Sequence, residues 1–295
     1  MSHHDDDNCN FSNNESFQEV LARGTRTPLT RRNVIRGGTG MIALSALPFL
    51  TACGGGDGEA VADPTPLQQC ASAGVVPKIR GGTPCALPGQ TPIVVFIATK
   101  NDGSGLYCSG TLISPTRILT AAHCLPSDVA RVTTPVWQPD GTARALRASS
   151  WVTHPEYQQT QAGFLNDAAV ITLSNPLPAP PMPLLVSNPS AAGQSVFIAG
   201  WGGPANELAA GFSRITIVNP LHVGYTYDGK GANTCPGDSG GPMYRAVGGT
   251  QGVVGITSSG TSADCNVGDV SLFTNIQTPK VLDFIRTHAP DAALI

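Results

Sequence analysis

A serine within a glycine-rich segment is the residue of this sequence best suited to chemistry. Ser239 lies in Gly237-Asp238-Ser239-Gly240-Gly241-Pro242, between an acid and a pair of glycines and shortly after Cys235. A nucleophilic serine needs backbone N–H groups close to its reaction centre, and glycines let the backbone come that near. The segment therefore indicates a nucleophile, although an ordinary glycine-rich turn is the alternative.

A serine hydroxyl is a weak nucleophile at neutral pH, so it needs a base beside it and a third group that orients the base. His123 is the candidate base, because the small residues before it in Thr120-Ala121-Ala122-His123-Cys124 leave its ring room to move. Asp167 is the candidate third group, since it directly precedes a mostly apolar run at 168–173 that predicts a strand. An acid in such a place is often only a turn residue, and the assignment depends on the three residues together.

The three segments resemble the active-site motifs of the chymotrypsin-like serine proteases, the trypsin family. The order His123, Asp167, Ser239 is the order of that family, and Ser258 matches its serine that hydrogen-bonds the aspartate from behind. The resemblance implies a serine endopeptidase that hydrolyses peptide bonds through an acyl-enzyme. It also implies that the backbone N–H groups of Gly237 and Ser239 hold the oxyanion.

Two other functions stay open. A binding protein that has lost catalysis on the same scaffold normally lacks a residue of the triad or a glycine beside the serine, and all of these are present here. An esterase with little peptidase activity uses the same triad, and the sequence does not separate it from a peptidase.

The resemblance further implies that the protein is made as an inactive precursor. Lys78-Ile79-Arg80-Gly81-Gly82 is similar to the activation site of the family. Cleavage after Lys78 would free the amino group of Ile79, which in the family pairs with the acid before the nucleophile, here Asp238. A buried acid without its cation costs several kcal/mol, so we expect the uncleaved chain to be inactive.

The pocket for the substrate side chain is read from the same resemblance. It has Asn233 at its base, with Ser258, Gly260 and Ser271 along its walls. Asparagine carries no charge, so we expect cleavage after uncharged residues and activation at Lys78 by another protease. An acid that reaches the pocket, either Asp264 or Asp269, would restore a preference for basic residues.

The eight cysteines fit an oxidising compartment. We expect Cys9 to be removed with an export signal and Cys53 to carry a lipid, on the motifs described in the next paragraph. Six cysteines then remain, an even number. The resemblance pairs Cys108 with Cys124 and Cys235 with Cys265, and we propose a Cys70–Cys85 bridge for the remaining two, with free or mispaired thiols as the alternative. A bridge across the activation site would keep the cleaved protease tethered to its lipid.

The first part of the chain predicts export rather than folded structure. Residues 30–36 look like a twin-arginine signal, and Leu50-Thr51-Ala52-Cys53-Gly54 is similar to a bacterial lipobox. The run at 37–52 is too short for a convincing membrane span. We therefore expect a bacterial cell-envelope lipoprotein held at the membrane by lipid on Cys53, or an extracellular protein after release. Residues 1–29 have no assigned role.

The chain divides into three predicted parts: an export signal with twin-arginine motif and lipobox at 1–52, a lipid-anchored tether and activation segment at 53–78, and a chymotrypsin-like serine protease domain at 79–295. Short β-branched runs between turn residues predict antiparallel strands in the last part. With the resemblance, they predict an all-β fold of two six-stranded antiparallel β-barrels that meet at the active site. Thr278 and Pro279 begin a predicted C-terminal helix with one apolar face.

The charge of the chain argues against nucleic acid as a partner, because the net charge is −3 and no basic stripe is present. Its histidines and acids show no metal-ligand spacing, so we expect no metal and no cofactor. The expected partners are polypeptide substrates, an activating protease and a membrane reached through the lipid, and the protein is expected to be a monomer.

Overall fold

The computed structural model describes residues 91–137, 142–160, 163–202, 207–262 and 264–295, and the backbone alone of residues 76–77 and 83–86. Several expectations fall outside the described residues. They concern the export signal, Cys53, Cys70, the Lys78–Ile79 bond and the side chain of Cys85.

The described chain is mostly β-structure. In chain order its strands are β1 (Val76–Pro77), β2 (Thr83–Ala86), β3 (Ile93–Lys100), β4 (Gly105–Ser114), β5 (Arg117–Thr120), β6 (Val129–Trp137), β7 (Ala143–Thr153), β8 (Gln158–Thr160), β9 (Gly163–Leu165), β10 (Ala169–Leu173), β11 (Ser195–Gly200), β12 (Ala209–Arg214), β13 (Ile217–Val218), β14 (His222–Thr226), β15 (Pro242–Val247), β16 (Thr250–Gly260) and β17 (Val270–Asn275). A 3₁₀ turn (Ala122–Cys124) follows β5, and helix α1 (Pro279–His288) follows β17.

The first sheet is a closed six-stranded barrel with the strand order β10-β5-β4-β3-β6-β7. Each neighbouring pair is antiparallel. Its interior is filled by apolar side chains with almost no exposed surface, among them Phe96, Leu112, Ile118 and Ile171. Closure leaves this sheet without free edges, so the barrel is a firm support for the loops at its ends.

The second sheet is curled, with the order β1-β2-β12-β11-β15-β16-β17-β14-β13. Its six central strands, from β12 to β14, correspond to the second predicted barrel, and the short strands β1, β2 and β13 extend its edges. The predicted chymotrypsin-like fold of two β-barrels with a C-terminal helix is thus confirmed. The second sheet differs from the prediction because it has nine strands and because β12 and β14 do not pair to close it.

Helix α1 begins where the sequence predicts it. Thr278 is the N-cap and Pro279 the first helical residue, and the apolar face buries Val281, Phe284 and Ile285. The hydroxyl of Thr278 donates to the Asn275 carbonyl instead of capping the helix. Within the described ranges, no helix has the length and apolar character that crossing a membrane requires.

Candidate active site

Strand pairing in the first barrel brings His123 and Asp167 together. His123 lies in the 3₁₀ turn just after β5, and Asp167 lies just before β10. These two strands are antiparallel neighbours in which Thr120 is opposite Ala169. The segment that follows β5 and the segment that precedes β10 therefore meet at the same end of the barrel. The side chains of His123 and Asp167, which are 44 residues apart in the sequence, are therefore in contact.

The His123–Asp167 pair is fully built. Nδ1 of His123 lies 2.7 Å from Oδ2 of Asp167, and the backbone N–H of His123 donates to Oδ1 at 2.9 Å. A carboxylate accepts only, so Nδ1 carries the hydrogen and Nε2 is left as the basic nitrogen. The ring is thereby held in the tautomer in which Nε2 accepts a proton.

Asp167 is completely buried, and the second sheet supplies the rest of its hydrogen bonds. The hydroxyl of Ser258 donates to Oδ2 at 2.7 Å, and the hydroxyl of Thr274 donates to the Asp167 backbone carbonyl at 2.9 Å. A buried carboxylate is tolerated where its oxygens accept several hydrogen bonds. The sequence expectation that Ser258 lies behind Asp167 agrees with this contact.

The residue before the aspartate adopts an uncommon backbone conformation. Asn166 has φ +49°, in the left-handed region where asparagine is among the better tolerated side chains. Its side-chain N–H donates to the Glu156 carbonyl at 2.9 Å, and its own carbonyl accepts from Ala168 N–H at 2.8 Å. This tight turn directs Asp167 inward as the chain enters β10.

Ser239 reaches the same place from the second sheet, just before β15. Its backbone carbonyl accepts from Ser109 N–H at 2.8 Å and lies 3.8 Å from the sulfur of Cys124, the neighbour of His123. A side chain on Gly240, which has φ +80°, would overlap the hydroxyl of Thr120. The glycine after the serine is therefore required for the serine loop to pack against the histidine segment.

The atom of His123 that would accept a proton is Nε2. Nε2 is buried and has no hydrogen-bond partner among the described residues. The face of the imidazole is covered by Phe164, whose ring stacks on it with centroids 4.9 Å apart and planes 13° apart. A basic nitrogen in this position is shielded from bulk water and is free to accept from a hydroxyl nearby.

The backbone around Gly237 presents two N–H groups that have no acceptor in the part of the chain that the structure describes. Gly237 has φ +93°, and a Cβ there would lie 2.8 Å from the Cα of Gly202, so only glycine fits. Its carbonyl accepts from the Ser109 hydroxyl at 2.8 Å. The N–H groups of Gly237 and Ser239 bond to no acceptor within the described part of the chain. They are the pair that the sequence analysis assigned to an oxyanion.

Asp238 points away from the serine into the protein. Its carboxylate accepts from the N–H of Gly202 at 2.8 Å and of Cys235 at 2.9 Å. No described lysine, arginine or histidine forms an ion pair with it. Burial raises the pKa of Asp238 to about 6, although the two backbone hydrogen bonds act in the opposite direction. This carboxylate has no cation among the residues that the structure describes, and Ile79, its expected partner, lies outside them.

Three of the four expected pocket residues, Asn233, Gly260 and Ser271, lie together near Asp269, whereas Ser258 contacts Asp167. Asn233 Nδ2 donates to Oδ2 of Asp269 at 2.8 Å, and the Ser271 hydroxyl donates to Oδ1 of Asn233 at 2.7 Å. A Cβ on Gly260 would lie 3.5 Å from the same Oδ2. The uncharged Asn233, expected at the base of the pocket, is therefore paired with a carboxylate that is only 3% exposed. Of the two acids considered from sequence, Asp269 reaches this cluster and Asp264 is exposed.

Two disulfides brace the site. Cys108 is joined to Cys124 beside His123, and Cys235 is joined to Cys265 near the pocket. The sulfurs of Cys108 and Cys124 lie close to a nitrogen of His123, a grouping that could hold a metal. Because the two sulfurs are bonded to each other, they are not thiolate ligands.

Sequence reasoning missed three residues that complete the site. Phe164 covers the His123 ring, Thr274 holds the backbone of Asp167, and His222 hydrogen-bonds the Phe164 carbonyl. None belongs to a motif, and each acts across a contact between segments that are far apart in the chain. Only Phe164, as an aromatic residue three positions before Asp167, offered any local signal.

Comparisons with known proteins give the family relationship of the chain. The family model described as trypsin matches residues 79–285. Brachyurin of Leptuca pugilator is 31% identical over 207 residues, which is 62% of this chain and 87% of the relative. A trypsin of Saccharopolyspora erythraea is 30% identical over 192 residues, or 57% and 81% of the two chains. Vitamin K-dependent protein C of Rattus norvegicus is 31% identical over 221 residues, or 62% and 46%.

Proposed function

The chain belongs to the trypsin family of serine proteases, and from this premise we propose that it is a serine endopeptidase with His123, Asp167 and Ser239 as its triad. The observation that carries the proposal is the state of His123. Asp167 fixes the proton on Nδ1 by a 2.7 Å contact, while Nε2 is buried and has no hydrogen-bond partner among the described residues. The next residue, Cys124, has its sulfur 3.8 Å from the Ser239 carbonyl. Residues of these three types in this arrangement support acyl transfer.

The mechanism follows from these roles. Ser239 Oγ attacks the carbonyl carbon of the scissile peptide while Nε2 of His123 takes its proton. The N–H groups of Gly237 and Ser239 stabilise the oxyanion, and Asp167 stabilises the imidazolium. The tetrahedral intermediate collapses, and the leaving amine departs with the proton from His123. Water then attacks the acyl-enzyme by the same steps, which releases the acid and restores Ser239.

Covalent labelling tests the nucleophile directly. A serine-directed fluorophosphonate is added to the full chain before and after cleavage at Lys78, and the modified residue is located by mass spectrometry. We expect label on Ser239 of the cleaved protein and none on a Ser239→Ala variant. Peptide and ester substrates are assayed in parallel, because hydrolysis of esters alone would favour the esterase.

The absence of label in folded, cleaved protein would contradict the proposed enzyme and favour a binding module on the protease scaffold. Label before cleavage would keep the enzyme and contradict the precursor.

The proposed precursor draws support from Asp238 and from the strands around the activation site. Asp238 is partly buried, its carboxylate has no described cation, and the ammonium of Ile79 would supply one. Strand β1 pairs with β2, so that Pro77 is opposite Cys85, and β2 pairs in turn with β12. The Lys78–Ile79 bond therefore lies in the connection between two strands that are hydrogen-bonded to each other. Cutting it separates β1 from the protease domain in the chain.

The acid at the pocket base changes the expected substrate preference. Asp269 is hydrogen-bonded to Asn233, and no described cation pairs with it. A buried carboxylate beside the residue expected at the base of the pocket would attract a cationic substrate side chain. We therefore propose cleavage after lysine or arginine in place of the uncharged residues expected from Asn233. A second copy of this chain then becomes a candidate for the protease that cuts after Lys78.

Replacing Asp269 with asparagine tests this preference. In the wild-type enzyme we expect kcat/KM to be higher for lysyl and arginyl peptides than for leucyl or phenylalanyl ones. Asp269→Asn is expected to lower kcat/KM for the basic peptides by about 10²- to 10³-fold, because a buried charge pair is lost. Asp264→Asn removes the same charge from an exposed neighbour and should change the ratio little. An unchanged ratio in Asp269→Asn would contradict the proposal.

Export and lipid attachment at Cys53 remain proposals supported by the motifs at 30–36 and 50–54. Mass spectrometry of the amino-terminal peptide of the mature protein tests them, because a diacylglyceryl group on Cys53 is the expected modification.

A further inference from the structure

His222 is a buried histidine that takes no part in the steps above. It lies at the start of β14 in the second sheet and is only 8% exposed. Its Nε2 is 2.9 Å from the backbone carbonyl of Phe164 in β9. This contact crosses 58 residues and joins the second sheet to the segment that covers His123.

The hydrogen bond to the Phe164 carbonyl determines which nitrogen of the His222 ring carries a hydrogen. A carbonyl only accepts, so Nε2 carries a hydrogen and donates it. Burial lowers the pKa of His222, while its contact with the Phe164 carbonyl and the nearby charge of Asp167 act in the opposite direction. The neutral ring is a donor to Phe164 and adds no positive charge next to Asp167.

Phe164 needs such an anchor because of where its strand lies. Strands β8 and β9 form a separate two-stranded sheet and pair with neither of the larger sheets in the described chain. The Phe164 ring lies between two aromatic neighbours, stacked on His123 and tilted against Tyr157 at 5.9 Å. The position of the Phe164 ring is therefore not fixed by backbone hydrogen bonds between its strand, β9, and a strand of either larger sheet in the described chain.

The second sheet holds the whole segment from Phe164 to Asp167. Ser258 and Thr274 donate to Asp167, and His222, which is opposite Thr274 in the sheet, donates to Phe164. Ser258 bonds the carboxylate that contacts Nδ1 of the His123 ring, and Thr274 bonds the backbone carbonyl of the same Asp167. The third sets the aromatic face that lies against the same ring.

We propose that His222 is a positioning residue for the reaction, which holds the Phe164 ring against the His123 imidazole and so sets the direction of Nε2. The proposal rests on the proposed peptidase function. A hydrogen bond at Nδ1 fixes one atom of the ring but leaves its tilt free, whereas stacking on a flat aromatic face restricts the tilt. Small errors in the position of a catalytic group are costly, since a displacement of about 1 Å can lower the rate about 10²-fold.

Two replacements of His222 separate the hydrogen bond from simple packing. Leucine is apolar and leaves the buried Phe164 carbonyl without a donor, whereas glutamine can place its amide nitrogen where Nε2 lies. We expect His222→Leu to lower kcat/KM about 10- to 100-fold, chiefly through kcat, and His222→Gln to recover most of the loss. His154→Leu is the matched control, because His154 is also buried but contacts Glu156 and Lys280.

A double-mutant cycle shows whether His222 acts through Phe164. In a Phe164→Ala background, His222→Leu should cause little further loss of kcat/KM, because the ring that it positions is gone. Additive losses, or full activity of His222→Leu in the normal background, would overturn the proposal. So would equal losses in the leucine and glutamine variants.

A spectroscopic measurement keeps this test separate from the proposed activity. The stacked Phe164 ring shifts the NMR resonance of the His123 Cε1 proton, and this shift does not require turnover. We expect His222→Leu to move the resonance towards its position in Phe164→Ala, while His222→Gln and His154→Leu leave it near the wild-type value. An unmoved resonance in His222→Leu would contradict the positioning role even in a protein that labels normally at Ser239. Failure to label would instead contradict the proposed function.

Discussion

Replacing Asp167 with asparagine is expected to lower kcat about 10⁴-fold, the loss that the same replacement causes in other serine proteases of this family. The cause is the tautomer of His123. Nδ1 now donates to Oδ2 of Asp167, which also accepts from Ser258. An asparagine amide facing the ring would donate to Nδ1 and move the proton to Nε2, so Nε2 could not accept from Ser239. Steady-state hydrolysis of a peptide substrate measures the loss.

The control for Asp167→Asn is a variant that loses the same charge at a position outside the proposed triad. Asp264→Asn removes an exposed acid and should leave kcat near the wild-type value. The thermal stability of Asp167→Asn is measured alongside, to show that the variant is folded. Near-normal turnover in folded Asp167→Asn would contradict the triad.

Replacing Lys78 with glutamine is expected to leave the chain about 10²- to 10³-fold less active than the cleaved wild type. Without cleavage there is no Ile79 ammonium, and removing one partner of a buried ion pair costs about 3–5 kcal/mol. The carboxylate of Asp238 lies between Gly202 and the serine segment, so its placement bears on the oxyanion donors. Incubation with a lysine-specific protease, followed by a peptide assay, measures activation.

Lys230→Gln is the matched control for the activation experiment. Lys230 is exposed in a turn of the protease domain, so its loss should not prevent activation. Full activity of the uncleaved Lys78→Gln chain would contradict the precursor, whatever the result of labelling in the cleaved protein.

The pH dependence of folding stability is a second test of the environment of Asp238. In the uncleaved chain the pKa of Asp238 is raised from 3.8 to about 6 by burial. The folded state then binds this proton more tightly than the unfolded state does, so the stability contributed by Asp238 is full below pH 3.8 and is lost as the pH rises through about 6. The difference corresponds to about 3 kcal/mol. Urea unfolding between pH 4 and pH 8 should show a smaller decline in Asp238→Asn and in the cleaved protein.

The sequence alone was sufficient for the fold class and for naming the three triad candidates. Each candidate lies in a short segment whose neighbouring residues have the types that its role requires. Small residues precede His123, an apolar run follows Asp167, and glycines surround Ser239. Such requirements are local, because a tight turn or a close backbone approach is met by adjacent residues. The alternation of short apolar runs with turn residues likewise predicted the strands, since period and turn chemistry are properties of adjacent positions.

Tertiary structure alone decided which distant side chains meet. Nothing near Asn233 in the chain shows that Asp269, 36 residues later, lies against it, and the proposed preference for basic residues rests on this contact. In the same way, Phe164 and His222 acquire their places only when the β8–β9 hairpin packs between the two sheets. These contacts depend on strand register and on the packing of one sheet against the other. Both are set by the sum of many side-chain contacts, so no local pattern in the sequence records them.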